Sequence, residues 1–393
     1  MSEHLTRRQL LERAGSAGIV LALPGWLAAC GGSDEDTGAF TPPRQRKLAK
    51  TLRFSNWTLY MDTNNKNHTH PTLDEFERLH GVHVAYTEDV NDNASYFGKI
   101  QAPLSRGQSI DRDIIVMTDN SRYPSLLIRR RWVEKLDKNA IPNIANLQPA
   151  LQHPGWDPDR TYSLPWQSGM TGIAFNDSLT DPVLSIDDLL GNPKLKGKIT
   201  VLSEMADALS LVMLSNGDDP AKVTDASFDR AIAKIQKAVD SGQIRNFTGN
   251  EYAPPLAKGD LAAAMSWSGD IAQLPNENLH WNLPTDGGDI WTDNMLIPKG
   301  GDVYTASVYM NYVYDPKVAA EIEAGNPKKG SDGIFYICPV VGAKEEIQKT
   351  NPELADNELI FPTDEMLDNV HIFDAEALNN EKYVTAWQNL ISA

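Results

Sequence analysis

The chain is poor in the residues that usually staple or metallate a fold. It holds two cysteines in 393 residues, Cys30 and Cys338, and only eight histidines. If Cys30 is modified, Cys338 stands alone, and an internal disulfide is excluded. The fold must then rest on its core. Four of the histidines fall at His68, His70, His80 and His83, a spacing that fits no zinc pattern. No metal and no cofactor is expected. Positive charge is scarce as well: 36 Lys and Arg oppose 53 Asp and Glu, for a formal charge of -17. Such an acidic chain is a poor nucleic-acid binder and suits cationic partners, because acidic clefts attract them. GxGxxG, Walker, GxSxG and HExxH patterns are absent, and no internal repeat is evident. No apolar run approaches the roughly 20 residues of a membrane span.

The first thirty residues carry a signal of another kind. A basic pair, Arg7-Arg8, precedes an apolar run starting at Gly18, and Leu27-Ala28-Ala29-Cys30 follows. This is the layout of an export signal with a small-residue cleavage site. A cysteine directly after the cut resembles the bacterial lipobox, so residues 1–29 read as signal peptide and Cys30 as the lipidated first mature residue. Thr6-Arg7-Arg8-Gln9-Leu10-Leu11 also resembles a twin-arginine signal. Residues 30–50, polar at first and then proline-containing and basic, read as a flexible tether.

The remaining ~340 residues suggest two domains. Leu52–Trp57 alternates like a first strand. Thr72 reads as the cap of a helix ending before Gly81, and His83–Thr87 as a second strand. Tyr96–Leu104 and Ser125–Trp132 read as helices, Asp113–Met117 as a buried strand, and Val133–Asp137 as the close of the unit. Tyr162–Pro165 and Gly172–Asn176 look like a crossing into a second unit. That unit holds strands at Lys198–Leu202 and Leu261–Trp267, with a helix marked by Phe228, Ile232, Ile235 and Val239. Asp286-Gly-Gly-Asp289 reads as a turn. Alternating strands and helices predict an α/β layered fold.

Aromatic residues and acids recur together at the ends of apolar strands. Trp57 and Tyr60 lead to Asp62, Thr118 precedes Asp119, and Glu204 and Asp207 follow Val201-Leu202. Trp267 precedes Asp270, and Trp291 precedes Asp293. In open α/β sheets, ligands bind at the carboxyl ends of strands. Aromatic faces attract ammonium groups, and carboxylates bind the same nitrogens by charge-assisted hydrogen bonds. A linear polyamine needs both. Taken singly, each Trp also suits a core or rim, and each acid a solvated turn.

Asn56-Trp57-Thr58-Leu59-Tyr60, Asp113–Thr118, Tyr162–Pro165, Met265–Asp270 and Gly288–Asp293 resemble segments of the bacterial spermidine/putrescine-binding proteins. These are the extracytoplasmic receptors of polyamine ABC importers. The resemblance implies a two-lobed periplasmic-binding-protein fold of type II, with a cleft that closes on ligand. Lobe 1 would take residues 51–163 and 294–340, and lobe 2 residues 164–293 and 341–393. Carried over by position, Trp57, Tyr60, Thr118, Asp119, Glu204, Asp207, Trp267, Asp270, Trp291 and Asp293 would bind the ligand. Asp270 and Asp293 would meet the amines.

The chain departs from the family pattern at Ala208, where an acid is usual, and at Tyr336-Ile-Cys338-Pro339. The expected protein is a monomeric, non-enzymatic, lipid-anchored receptor of the periplasm or outer membrane face, working with a permease. Another small cationic or zwitterionic solute is the alternative ligand. An exported glycan hydrolase, built on two acids near a Trp-rich cleft, is the alternative of another class.

Overall fold

The computed structural model describes residues 46–392 except residue 275. The expected signal peptide, Cys30 and the greater part of the tether lie outside the described residues. Ten strands form one sheet: β1 (Thr51–Trp57), β2 (His83–Val90), β3 (Ile114–Thr118), β4 (Ser163–Asn176), β5 (Ile199–Leu202), β6 (Ile244–Thr248), β7 (Ala263–Trp267), β8 (Leu279–Asn282), β9 (Gly288–Leu296) and β10 (Val370–His371). Their order is β2-β1-β3-β9-β4-β7-β5-β6, with β8 on β4 and β10 on β9.

The sheet has two parallel wings and an antiparallel middle. β1, β2 and β3 run parallel in one wing, and β5, β6 and β7 in the other. β9 and β4 join the wings. β9 pairs with β3 through Asp293–Leu296, and β4 pairs with β7 through Thr171–Phe175. All fourteen residues of β4 are buried, including Ser163, Gln167 and Ser168. A strand covered on both faces shows no clean alternation, so its two ends read in the sequence as separate stretches. The structure makes them one strand. Its register shifts between Pro165 and Gln167. Proline cannot donate to the ladder, and a bulge absorbs the defect.

Local chemistry sets the flanking elements. The first described helix runs Pro71–His80, with proline in its opening turn and Gly81 at φ +63° returning its N–H to the Glu77 carbonyl. Thr72 is not its cap. Both its backbone N–H and its hydroxyl donate to the buried Asp62 carboxylate, which is a stronger acceptor. Asp92 caps the helix Asn93–Ser105 by accepting from the Ser95 N–H at 2.7 Å. The helix Met205–Ser215 is buried nearly all round and sits between β9 and the helix Asp225–Asp240.

Val133–Asp137, expected to close the first unit, makes one bridge from Val133 to Pro298. Two expectations shift. The turn at 286–289 is shorter than expected, because Gly288 and Asp289 already belong to β9. The helix Ala343–Thr350 packs on Pro316–Ala324, which itself touches Pro71–His80, so this stretch belongs with the β1–β3 wing rather than with the second lobe. The chain reaches the second wing later, where Glu381–Ile391 packs on Asp225–Asp240.

The loop that launches β4 is held by one carboxylate. Asp157 accepts the N–H groups of Thr161, Tyr162 and Ser163 at 2.9, 3.0 and 2.9 Å, and the Ser163 hydroxyl at 2.8 Å. Asp157 is 4% exposed, so these donors have little water to turn to. Asp157→Ala is expected to destabilise the mature chain by about 3 kcal/mol in urea unfolding, from several orphaned buried donors. A loss under about 0.5 kcal/mol would show that the loop does not depend on this acceptor.

Candidate functional site

The strand directions bring four chain segments to one place. β1 ends at Trp57, β3 at Thr118, β5 just before Glu204, and β7 at Trp267. β9 runs antiparallel to β3, so it contributes Trp291 and Asp293 from its interior rather than its end. After β1 the chain turns sharply at Leu59, φ +58°, and the Asn56 amide fixes the turn by donating to the Tyr60 carbonyl at 3.1 Å. Trp57, Tyr60, Thr118, Glu204, Trp267, Trp291 and Asp293 line one cavity.

The aromatic side chains form a continuous wall. Trp57 meets Trp267 edge-on at 5.6 Å, and Trp267 meets Trp291 at 6.3 Å. Trp291 meets Tyr336 at 5.8 Å, and Tyr336 meets Tyr60 at 4.7 Å. Two glycines make room for this wall. A Cβ at Gly169 would lie 2.5 Å from the Trp291 ring, and one at Gly269 would lie 2.4 Å from the Tyr336 ring.

Three carboxylates face the same cavity. Asp293 accepts the Thr118 and Tyr60 hydroxyls, each at 2.7 Å. Asp207 accepts from the Thr171 hydroxyl, from Trp267 Nε1 at 2.8 Å and from Asn120 Nδ2 at 3.2 Å. Glu204 accepts the Asn93 backbone N–H at 2.5 Å and its amide at 2.8 Å. Every donor is neutral, and none of the lining residues is Lys, Arg or His.

Burial dominates the electrostatics. It pushes Asp293 up to about 7 against the pull of its two hydroxyl donors. Glu204 rises to about 8 through burial, then through the charges of Asp92 and Asp207. Asp207 is raised by burial despite its three side-chain donors. With no cation beside them to offset their charge, burial favours the protonated form of each.

Of the ten expected residues, eight line the cavity: Trp57, Tyr60, Thr118, Glu204, Asp207, Trp267, Trp291 and Asp293. Asp119 and Asp270 do not. Asp119 stitches β3 to β9 by accepting the Thr292 N–H at 2.9 Å. Asp270 is fully buried and accepts from Tyr252, Asn250 and Tyr336 at 2.7, 2.8 and 2.7 Å. It anchors the wall from behind, and the amine contact expected of it has no direct geometry here. The sequence reading missed three lining residues, Thr58, Asn250 and Tyr336. It also missed Asp289, wholly buried behind Asp207, with Asn120 Nδ2 at 2.9 Å and the Ser210 hydroxyl at 3.0 Å. Asn250 comes from a short turn after β6 and Tyr336 from an irregular segment, so neither sits in a pattern.

The family profile of the bacterial extracellular solute-binding proteins matches residues 72–324, more than half of the chain. The chain belongs to that family. It is a solute-binding protein and not an enzyme. It is 23% identical over 348 residues to the spermidine/putrescine-binding periplasmic protein of Escherichia coli, covering 87% of this chain and 88% of that one. Among solved structures, it resembles the spermidine/putrescine ABC transporter substrate-binding protein of Streptococcus pneumoniae, with TM-score 0.64, 23% identity and coverage of 87% and 98%. It also resembles a periplasmic binding protein from Agrobacterium tumefaciens in complex with agropinic acid, with TM-score 0.67, 16% identity and coverage of 88% and 100%. The fold is therefore the two-lobed one of periplasmic binding proteins.

The raised acids of this solute-binding protein have a measurable consequence. Each binds its proton more tightly folded than unfolded, so its contribution to stability is full below about pH 4 and is lost as pH rises through about 7 to 8. The melting temperature of the dialysed, ligand-free protein is expected to show this fall, and Asp293→Asn to flatten it. Parallel calorimetric curves for the two proteins would remove Asp293 from the titrating set.

Proposed function

We propose that this protein is the receptor of a polyamine ABC importer, closing on a spermidine- or putrescine-like cation. One observation carries the reading: three buried carboxylates and an unbroken aromatic wall share a cavity with no basic side chain. An ammonium group supplies the charge these acids lack. The methylene segments of a linear amine lie along the aromatic wall. Each desolvated cation–π contact adds about 0.5–2 kcal/mol.

The relative from Escherichia coli is named for spermidine and putrescine, which supports the same ligand class. Fold alone does not choose it, since a protein of the same fold is complexed with agropinic acid. An acidic ligand would need a basic partner, and the lining offers none. Trp57, Tyr60, Thr118, Glu204, Asp207, Trp267, Trp291 and Asp293 are the contact residues in this reading, with Asp119 and Asp270 supporting them. Export by the signal at residues 1–29 and a lipid on Cys30 would hold a monomeric receptor at the membrane surface on the flexible tether of residues 30–50, where it serves a permease.

Titration calorimetry at pH 8 is expected to show spermidine and putrescine binding. Asp293→Asn should weaken it by about ten- to hundredfold, the worth of a hydrogen bond to a charged group. The ionised acid is the binding form, so affinity should fall as pH drops below about 7, well above the usual carboxylate range. Equal affinity in the Asn variant, or affinity unchanged down to pH 5, would show that carboxylates do not carry recognition.

A further inference from the structure

Two asparagines tie the halves of the sheet together through the cavity's own acids. Asn93 opens the helix after β2, and Asn120 follows β3, so both belong to the β1–β3 wing. Their acceptors belong to the opposite side. Glu204 and Asp207 stand at the start of the helix after β5, and Asp289 lies in the part of β9 that pairs with β4. Asn93 gives its backbone N–H and its amide to Glu204. The same amide reaches Thr118 Oγ1 at 2.9 Å, and Thr118 donates its hydroxyl to Asp293. Asn120 Nδ2 lies 3.2 Å from Asp207 and 2.9 Å from Asp289.

Both asparagines are buried, at 1% and 4% exposure, and neither lines the cavity. The Asn120 Oδ1 has no partner and is shielded from solvent. The amide therefore spends its donor side wholly on the two acids. Turning the amide over would aim its oxygen at two acceptors, so the orientation follows from its neighbours.

We propose that Asn93 and Asn120 are positioning residues that couple ligand capture to closure of the two wings. The inference rests on the polyamine reading of the same cavity. Amide donors satisfy the acids without neutralising them. Closing the empty site leaves the acids with only neutral partners, so each either stays ionised at a cost or takes up a proton. Closing it on a cation supplies the missing charge, and the asparagines then hold each carboxylate with one side left toward the ligand. Bonds from one wing to the other are made on closure, so they reward the ligand-bound state selectively. A purely structural hydrogen bond would stabilise the protein with and without ligand alike.

The test uses the mature chain with Asn93→Leu and Asn120→Leu, and with Asn120→Ala in case leucine overfills the site. Three quantities are read: melting temperature without ligand, spermidine affinity by calorimetry, and the change in radius of gyration on adding spermidine by solution scattering. The expected result is a ligand-free melting temperature near that of wild type for the Asn120 variants and a lower one for Asn93→Leu, which also loses the Thr118 N–H bond inside its own wing; in all of them affinity is weakened about tenfold or more and the ligand-induced contraction is smaller. Unchanged affinity and contraction in the variants, beside a responsive wild type, would overturn the inference alone. So would a large loss of ligand-free stability in the Asn120 variants with the ligand-induced rise in melting temperature preserved. A wild type that gives neither heat nor contraction with spermidine or putrescine would overturn the polyamine reading, and this inference with it.

Discussion

Burying negative charge without a counter-ion is the constraint around which this molecule is arranged. Taking one carboxylate out of water costs several kcal/mol even after relaxation. Hydrogen bonds to charged groups return about 1.5–3 kcal/mol each. Asp293 has two hydroxyl donors, and burial still holds it near 7. The donors lose to desolvation, and the site stays short of positive charge. In the proposed reading that deficit selects the guest, because a cation completes the electrostatics.

The fold concentrates the deficit. Residues at or just after the ends of parallel strands in both wings line one cavity, and β9 runs between the wings carrying Trp291 and Asp293. Tryptophan and tyrosine rings exclude water and lower the local dielectric, which strengthens every charge interaction inside. The glycines at 169 and 269 let those rings lie against the backbone. Asp270 locks the wall from behind through Tyr252, Asn250 and Tyr336. Most of the polar lining is thus held by a second group: Asp293 by Tyr60 and Thr118, Glu204 by Asn93, Asp207 by Thr171, Trp267 and Asn120.

Much of this was legible in the sequence, and the limits have physical causes. Trp57, Thr118, Glu204, Asp207 and Trp267 follow apolar strands, so the rule of strand ends finds them. Trp291 and Asp293 were found through the same pattern, although they sit inside a strand that runs the other way. Asp270 follows a Trp closely, as Asp293 does, but accepts from three anchors behind the wall, a difference that sequence order cannot express. Asp289 stands after two glycines and reads as turn chemistry, yet the ladder with β4 begins there. Asn250 and Tyr336 come from segments with no period, where only packing assigns a place. Thr72 looked like a helix cap until Asp62, ten residues earlier, competed for its donors.

A crystal structure of the mature protein grown with spermidine addresses the central claim most directly. Amine nitrogens should lie within hydrogen-bond reach of the Glu204, Asp207 or Asp293 carboxylates, with the carbon chain between Trp57, Trp267 and Trp291. An acidic solute in that cavity, or spermidine bound elsewhere while the aromatic wall stays closed and empty, would contradict it.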